Sequence, residues 1–277
     1  MTTIARTAQT APPVASPEPT SGVVWALRDS WTEATRHLRI IPRNIELLIF
    51  AVIQPIMFVL LFVYVFGGAI EAPGFDDYNQ FLIPGVMAQT VVFGSSFTAL
   101  GMAEDMQKGY IDRLRSLPMS RSAVLIGRTV SDFVRNCITF AVMLIVSFAI
   151  GFRFEGSLVE ALVATLLLLL FSYSLSWVQA LIGLSVKSTE AANSAGFIWM
   201  FPMTFVSSAF VPPSTMPGWL QPIAENNPFT IVTDASRSLY NGLPVGSDGW
   251  LTVAWSVGIT AVFAGLSIRK FSASTVA

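Results

Sequence analysis

The chain has 277 residues, of which 53% are hydrophobic and only 12% charged, and its formal net charge is −1. With a mean hydropathy of +0.63 and about half the charge of an average soluble domain, a water-soluble globule of this length could not cover its own surface. The near-zero net charge gives no electrostatic basis for binding nucleic acid. The only cysteine, Cys137, and the only histidine, His37, exclude an intrachain disulfide and a Cys/His zinc cluster.

The first 22 residues are rich in Thr, Ala, Pro and Ser. They contain no apolar stretch of the kind a signal peptide needs, so they read as a disordered cytoplasmic tail. From Val23 the pattern changes. Val24, Leu27, Trp31, Ala34 and Leu38 recur at helical spacing, with Arg28, Asp29, Glu33, Arg36 and His37 between them. This predicts an amphipathic helix over 23–42, lying in the membrane interface and closed by Pro42. It is either a peripheral anchor or a helix that also couples to a cytosolic partner. His37 sits in this basic stretch, far from any nucleophile signature, which argues against a Ser-His-Asp or Cys-His centre.

Six charge-free windows follow: 47–70, 78–103, 136–152, 161–186, 191–224 and 249–268, of 24, 26, 17, 26, 34 and 20 residues. A membrane helix needs about 20 apolar residues, so an all-α membrane protein with six spans over 43–268 is expected. The third span begins before its window, because Arg128, Asp132 and Arg135 share one helix face. A helix from about Ser122 to Phe152 rises ~46 Å, more than a hydrocarbon core of ~30 Å. Lys and Arg concentrate before the first span, between the second and third, and after the sixth. The positive-inside rule then places both termini, including the tail 269–277, in the cytoplasm.

Between the second and third spans a charged helix closed by Pro118 is expected, with Glu104–Lys108 and Asp112–Arg115 as surface pairs. After the fifth span, Pro212 and Pro213 predict a stop. Trp219, Leu220 and Ile223 form a brief apolar face. Asn227 and Pro228 form an N-cap and N1 pair, and Gly242 suits a C-terminal cap. Two short helices dipping into the outer leaflet fit this pattern, with Asp234 and Arg237 close enough to pair. Inside the spans, Gln54, Gln89, Asn136 and Gln179 are candidate pathway residues, although hydrogen bonding between helices accounts for such residues equally well. The spans hold no carboxylate series suited to a proton relay and no cluster suited to an intramembrane enzyme. Both a secondary transporter and an enzyme therefore rank low.

The string EDMQKGYIDRLRSLPMSR (104–121) resembles the E-x(4)-G-x(3)-R-L-x-S-L-P-x-S-R loop of type-2 ABC-transporter permeases, and more narrowly their daunorubicin-resistance branch. QPIMFVLLFVYVFGGAI (54–70), GFRFEGS (151–157) and SSAFVPPSTMPGWLQPIAENNPFTIVTDASRSLYNG (207–242) resemble other stretches of that branch. The resemblance implies a six-span permease subunit in a bacterial cell membrane, paired with a second copy or a paralogue and with two separate ATP-binding subunits. The chain would export hydrophobic drugs or lipids by alternating access. A polysaccharide or glycolipid exporter of the O-antigen type is the alternative. Glu104, Gly109, Arg113, Arg115 and Pro118 match the coupling loop that would dock in the ATPase, while Trp219, Asn227, Pro228 and Arg237 fall in the outer re-entrant segment. The chain has neither a phosphate loop nor an LSGGQ signature. No cofactor is expected on it, and ATP and magnesium would belong to the partner.

Overall fold

The computed structural model of the chain describes residues 23–40, 45–66, 78–115 and 121–273. Every element among them is helical. Helix α1 (Val23–Ile40) is followed by α2 (Ile45–Leu60), which runs on as a π-helical turn over Leu61–Phe66. Next come α3 (Tyr78–Gly94), α4 (Ser96–Gln107) and the short α5 (Tyr110–Arg115). Two long helices follow, α6 (Arg121–Ile150) and α7 (Leu158–Gly183). The chain closes with α8 (Thr189–Phe205), a 3-10 turn (Pro213–Thr215), α9 (Gln221–Glu225), α10 (Pro228–Tyr240) and α11 (Asp248–Ala273).

Four helices are long and apolar enough to cross a bilayer: Tyr78–Gln107, Ser122–Ile150, Leu158–Gly183 and Asp248–Ser272. The third predicted span starts in the charged stretch ahead of its window, as expected. The six-span expectation is met at this level for four windows. The first window holds a shorter apolar helix, Val52–Val65, the fifth holds the 17-residue α8, and each carries an internal proline, Pro55 in α2 and Pro202 in α8. Proline removes a ladder hydrogen bond and clashes with the preceding turn. In α2 the ladder passes into π geometry six residues after Pro55. α8 stops at Phe205, well before Pro212–Pro213, which corrects the expected end of the fifth span. The cause is distant in sequence: the Asn227 amide donates to the carbonyls of Met203 (2.7 Å) and Val206 (2.6 Å) and closes the helix end.

α3 and α4 form a central rod, interrupted only at Ser95, and α6, α7, α8 and α10 surround it. The core is apolar, as in a soluble protein, but large apolar side chains also cover the outside. Ile145, Leu166 and Ile198 are exposed on the outside of the spans, while Ser147, Ser172, Ser174 and Thr204 are buried. Lipid tails are as apolar as leucine, so close packing and hydrogen bonds, rather than apolar burial, hold the helices together. Several inward hydroxyls bond the carbonyl one turn back, for example Ser147 to Met143 (2.9 Å) and Ser256 to Thr252 (2.7 Å).

α1 packs along α6, and its periodic apolar face is divided there, with Ala34 inside and Trp31 outside. Trp31 is 65% exposed, whereas Ser30, Glu33 and Ala34 are buried against α6. The approach is close at Gly127, where a Cβ would lie 2.5 Å from the Glu33 Cβ and 2.9 Å from the Ser30 carbonyl oxygen. Glu33 therefore faces the bundle and Trp31 faces outward. The side chains of Val24, Leu27 and His37 lie outside the described residues, as does Pro42.

Candidate functional site

Three sites follow from this frame: a surface turn, a cavity among the helices and a clamp around Arg237. The surface turn joins α4 to α5. The Lys108 and Gly109 amides close α4 by donating to the carbonyls of Glu104 (3.0 Å) and Met106 (3.1 Å). Gly109 has φ +64°, the left-handed conformation that favours glycine at a helix C-terminus. Glu104 and Lys108 make the expected pair at 2.5 Å, both well exposed, and such a pair contributes only about 0.3–0.5 kcal/mol. Arg113 is exposed on α5. Pro118 and the side chains of Asp112 and Arg115 lie outside the described residues.

α5 is fastened to the bundle in two ways. Ile111 is buried beside Met102, Val124, Leu125 and Phe271. The Tyr110 hydroxyl donates to Glu33 on α1 (3.1 and 3.4 Å), and the Arg36 guanidinium, 3.1 Å from Glu33, stacks 3.9 Å above the Tyr110 ring. Burial pushes the Tyr110 phenol up to about 12, so it remains a neutral donor at physiological pH. Sequence reasoning missed this Tyr110–Glu33–Arg36 cluster. The available signal was an aromatic directly after a helix-ending glycine, set near an acidic residue in an amphipathic stretch.

The basic face of α6 lies inside the protein. Asp132 takes Arg128 at 3.1 Å and Arg135 at 2.9 Å, and Arg128 also reaches Asp105 on α4 at 3.5 Å. All four side chains are largely buried, Asp132 at 3% exposure. Two positive and two negative charges thus neutralise one another within the bundle.

Arg135 marks the edge of a cavity of about 120 Å³ between α2, α3, α4, α6 and α8. Of the four candidate pathway residues, Gln54, Gln89 and Asn136 line it, and Gln179 does not. Gln54 is exposed at the mouth. The Asn136 amide is already committed, donating to the Val91 carbonyl (3.0 Å) and to the Ser172 hydroxyl (2.5 Å), so it ties α6 to α3 and α7. Gln179 faces α8, with its Nε2 2.8 Å from the Met200 sulfur. Gln89 is 2% exposed, and neither its Nε2 nor its Oε1 has a hydrogen-bond partner among the described residues. Phe93, Phe97 and Phe197 supply the apolar wall, and the Arg135 guanidinium sits 4.4 Å over the Phe97 ring. Sequence reasoning grouped Arg135 with the helix-end charges and missed its place in this wall.

The segment from Ser207 to Gly242 forms a clamp around Arg237. Its Nε donates to the Phe81 carbonyl (2.9 Å), Nη2 to the Ser208 carbonyl (2.7 Å) and Nη1 to Asp234, and the guanidinium lies 3.8 Å over the Phe81 ring. Ser208 donates to the same Asp234 oxygen at 2.6 Å. Asn227 caps α10 by accepting from the Phe229 amide (2.9 Å), with Pro228 in the first turn as expected. Gly242, with φ +64°, follows its end. Trp219 and Ile223 are exposed, so the apolar face of α9 points away from the bundle.

These features belong to a multi-pass membrane permease. A family model described as ABC-2 type transporter matches residues 30–241, and the chain belongs to that family. It is 37% identical over 224 residues to the daunorubicin resistance ABC transporter permease protein DrrB1 of Streptomyces coeruleorubidus, covering 81% of this chain and 79% of that one. It is 26% identical over 226 residues to the probable doxorubicin resistance ABC transporter permease protein DrrC of Mycobacterium tuberculosis, covering 81% and 82%. It is 27% identical over 184 residues to the probable multidrug ABC transporter permease YbhR of Escherichia coli K12, covering 65% and 47%. The relatives are permeases, and the family implies partnership with an ABC ATP-binding subunit.

Proposed function

We propose that this chain is the membrane-spanning subunit of an ATP-driven exporter that moves hydrophobic drugs or lipids out of the cell by alternating access. The observation that carries the reading is the attachment of α5. It stands at the surface beyond a glycine turn, yet Ile111 and Tyr110 lock it to the bundle and to α1. A push delivered there by a partner ATPase reaches α1 and α6 directly. Glu104, Gly109, Arg113, Arg115 and Pro118 form the docking surface, and ATP and magnesium reside on the partner. In the cell membrane α2 and α8 complete six spans, both termini face the cytoplasm, and two permease chains pair around the pathway. The drug-resistance names of the relatives support the substrate class.

The test is ATP-dependent uptake of a hydrophobic dye into inside-out vesicles containing the chain with its partner ATPase. Gly109→Val forces a branched side chain into a left-handed turn, at a cost of about 1 kcal/mol or more. Uptake and drug-stimulated ATP hydrolysis are expected to fall at least tenfold, with the amount of inserted chain unchanged. Transport by this chain alone, driven by an ion gradient, would overturn the reading.

A further inference from the structure

The central rod changes partners where it breaks. α3 packs mainly on α6 and α10, and α4 mainly on α7 and α8. Between them, at Gly94–Ser95–Ser96, the ladder tightens. The Ser95 amide donates to Val92 (3.0 Å) and the Thr98 amide to Ser95 (3.0 Å), each three residues back instead of four. A 3-10 turn inside a helix and a Gly/Ser pair are both places where helices bend. In a regular α-helix the Val91 carbonyl would take the Ser95 amide. Here it takes the Asn136 amide (3.0 Å) from α6 and the Ser172 hydroxyl (2.7 Å) from α7. Ser95 and Ser96 turn their own hydroxyls onto the carbonyls of Val92 (2.6 Å) and Phe93 (2.7 Å). Gly94 makes the room, because a Cβ there would overlap the Asn136 carboxamide. Side chains thus hold three successive carbonyls at the break.

Two buried groups are left over by this arrangement. The Thr98 hydroxyl is fully buried and has no partner among the described residues. On the regular part of the rod the Thr90 hydroxyl bonds the carbonyl one turn back, Val86, at 2.8 Å. One turn back from Thr98 is Gly94, at the break. The second group is Gln89, whose carboxamide is unmatched at both ends and stands in the wall of the cavity that Asn136 also lines. That cavity lies against the break itself, with Gly94, Ser96 and Phe97 in its wall. Buried polar groups are normally satisfied, and two orphans beside one helix break have a common cause.

We propose that Gly94–Ser96 is a two-state hinge and that Asn136 is its positioning residue. In the state seen here Asn136 and Ser172 hold the Val91 carbonyl. In the other state the Ser95 amide returns to Val91, the Gly94 carbonyl takes the Thr98 hydroxyl, and the released Asn136 amide turns to the Gln89 carbonyl in the cavity wall. Each state satisfies groups that the other leaves bare. The inference rests on the export reading for the force, which α5 delivers to the end of α4. α4 has 12 residues and a length of about 18 Å, so a change of about 20° at Ser95 moves its far end by about 6 Å. A push at the surface turn therefore reshapes the cavity wall.

The test places nitroxide labels on Lys108→Cys and Ile138→Cys in a Cys137→Ser background and reads their separation by pulsed electron resonance. The full chain is measured in phosphatidylcholine nanodiscs, first alone and then with its partner ATPase, ATP and vanadate. With nucleotide the wild-type separation is expected to shift by at least 3 Å. Asn136→Leu and Ser172→Ala release Val91 and are expected to move part of the population in the same direction without nucleotide. Ser95→Pro has the opposite effect. Ser95 has φ −67°, which suits proline, and without its N–H the other state cannot close. Its separation is expected to stay at the resting value with ATP and vanadate, and vesicle uptake to fall at least tenfold. Thermal unfolding in discs checks each variant, and Asn136→Leu and Ser172→Ala decide if Ser95→Pro does not fold. Separations within 1 Å of the resting value in both of these variants overturn the hinge. So does ATP-driven uptake by the wild type with no shift, or a Ser95→Pro chain that shifts as the wild type does. A shift in the variants with no ATP-driven uptake sinks the export reading and leaves the hinge standing.

Discussion

Two side chains carry more of the architecture than their neighbours do, Tyr110 and Arg237. Tyr110 gives the bundle its only aromatic hydroxyl contact to Glu33 among the interactions described. Tyr110→Phe removes the donor and leaves a buried carboxyl with one partner fewer, a loss of about 1–3 kcal/mol. Vesicle uptake is expected to drop several-fold while the amount of inserted chain stays constant, because the ring still packs under Arg36. Arg237 satisfies two backbone carbonyls and one carboxylate from a site only 4% exposed. Removing the guanidinium leaves two backbone carbonyls without their donor, at about 1–3 kcal/mol each, while Asp234 is partly exposed and keeps Ser208. Arg237→Ala is therefore expected to lower the unfolding temperature in detergent markedly, and Arg237→Lys, which lacks the planar fork, to recover only part of it. These are separate failures. The Tyr110 change uncouples an intact protein, and the Arg237 change loosens its outer half.

Among the elements, α1 was the least legible from the sequence. Its helix was plain from spacing, but its rotation was not, because the apolar moment of an interfacial helix points toward lipid as readily as toward protein. Glu33 faces inward because Gly127 leaves a groove on α6 and Tyr110 waits at its end. Gly127→Leu is expected to push α1 off α6, seen as faster hydrogen exchange or proteolysis in 23–40 with the remaining helices protected. The spans themselves were legible as gaps between charges, and the α10 cap was legible in Asn227–Pro228. The early end of α8 was not, because the capping group arrives from 21 residues downstream of the carbonyl it closes. The cavity was half legible for the same reason. Gln89 and Gln179 look alike in a sequence, and only packing puts one in an open space and the other against Met200.

For the molecule as a whole, the apolar exterior and the charge gaps make a topology that can be measured. In a Cys137→Ser background, a cysteine at Lys108 is expected to react with an impermeant maleimide only in inside-out vesicles, and one at Trp219 only in intact cells. Labelling of position 108 from outside would reverse the orientation and remove the docking surface from reach of a cytosolic ATPase.

The neutral quartet of Asp105, Arg128, Asp132 and Arg135 also bears on residence in a bilayer. Isolated arginines near the middle of a hydrophobic segment each oppose entry into lipid by about 2.5–3.5 kcal/mol. Asp105 precedes Arg128 in the chain, and Asp132 lies within the same helix as Arg135. The folded protein therefore presents the arginines to the hydrocarbon as a matched set, which removes most of the cost that each would carry alone.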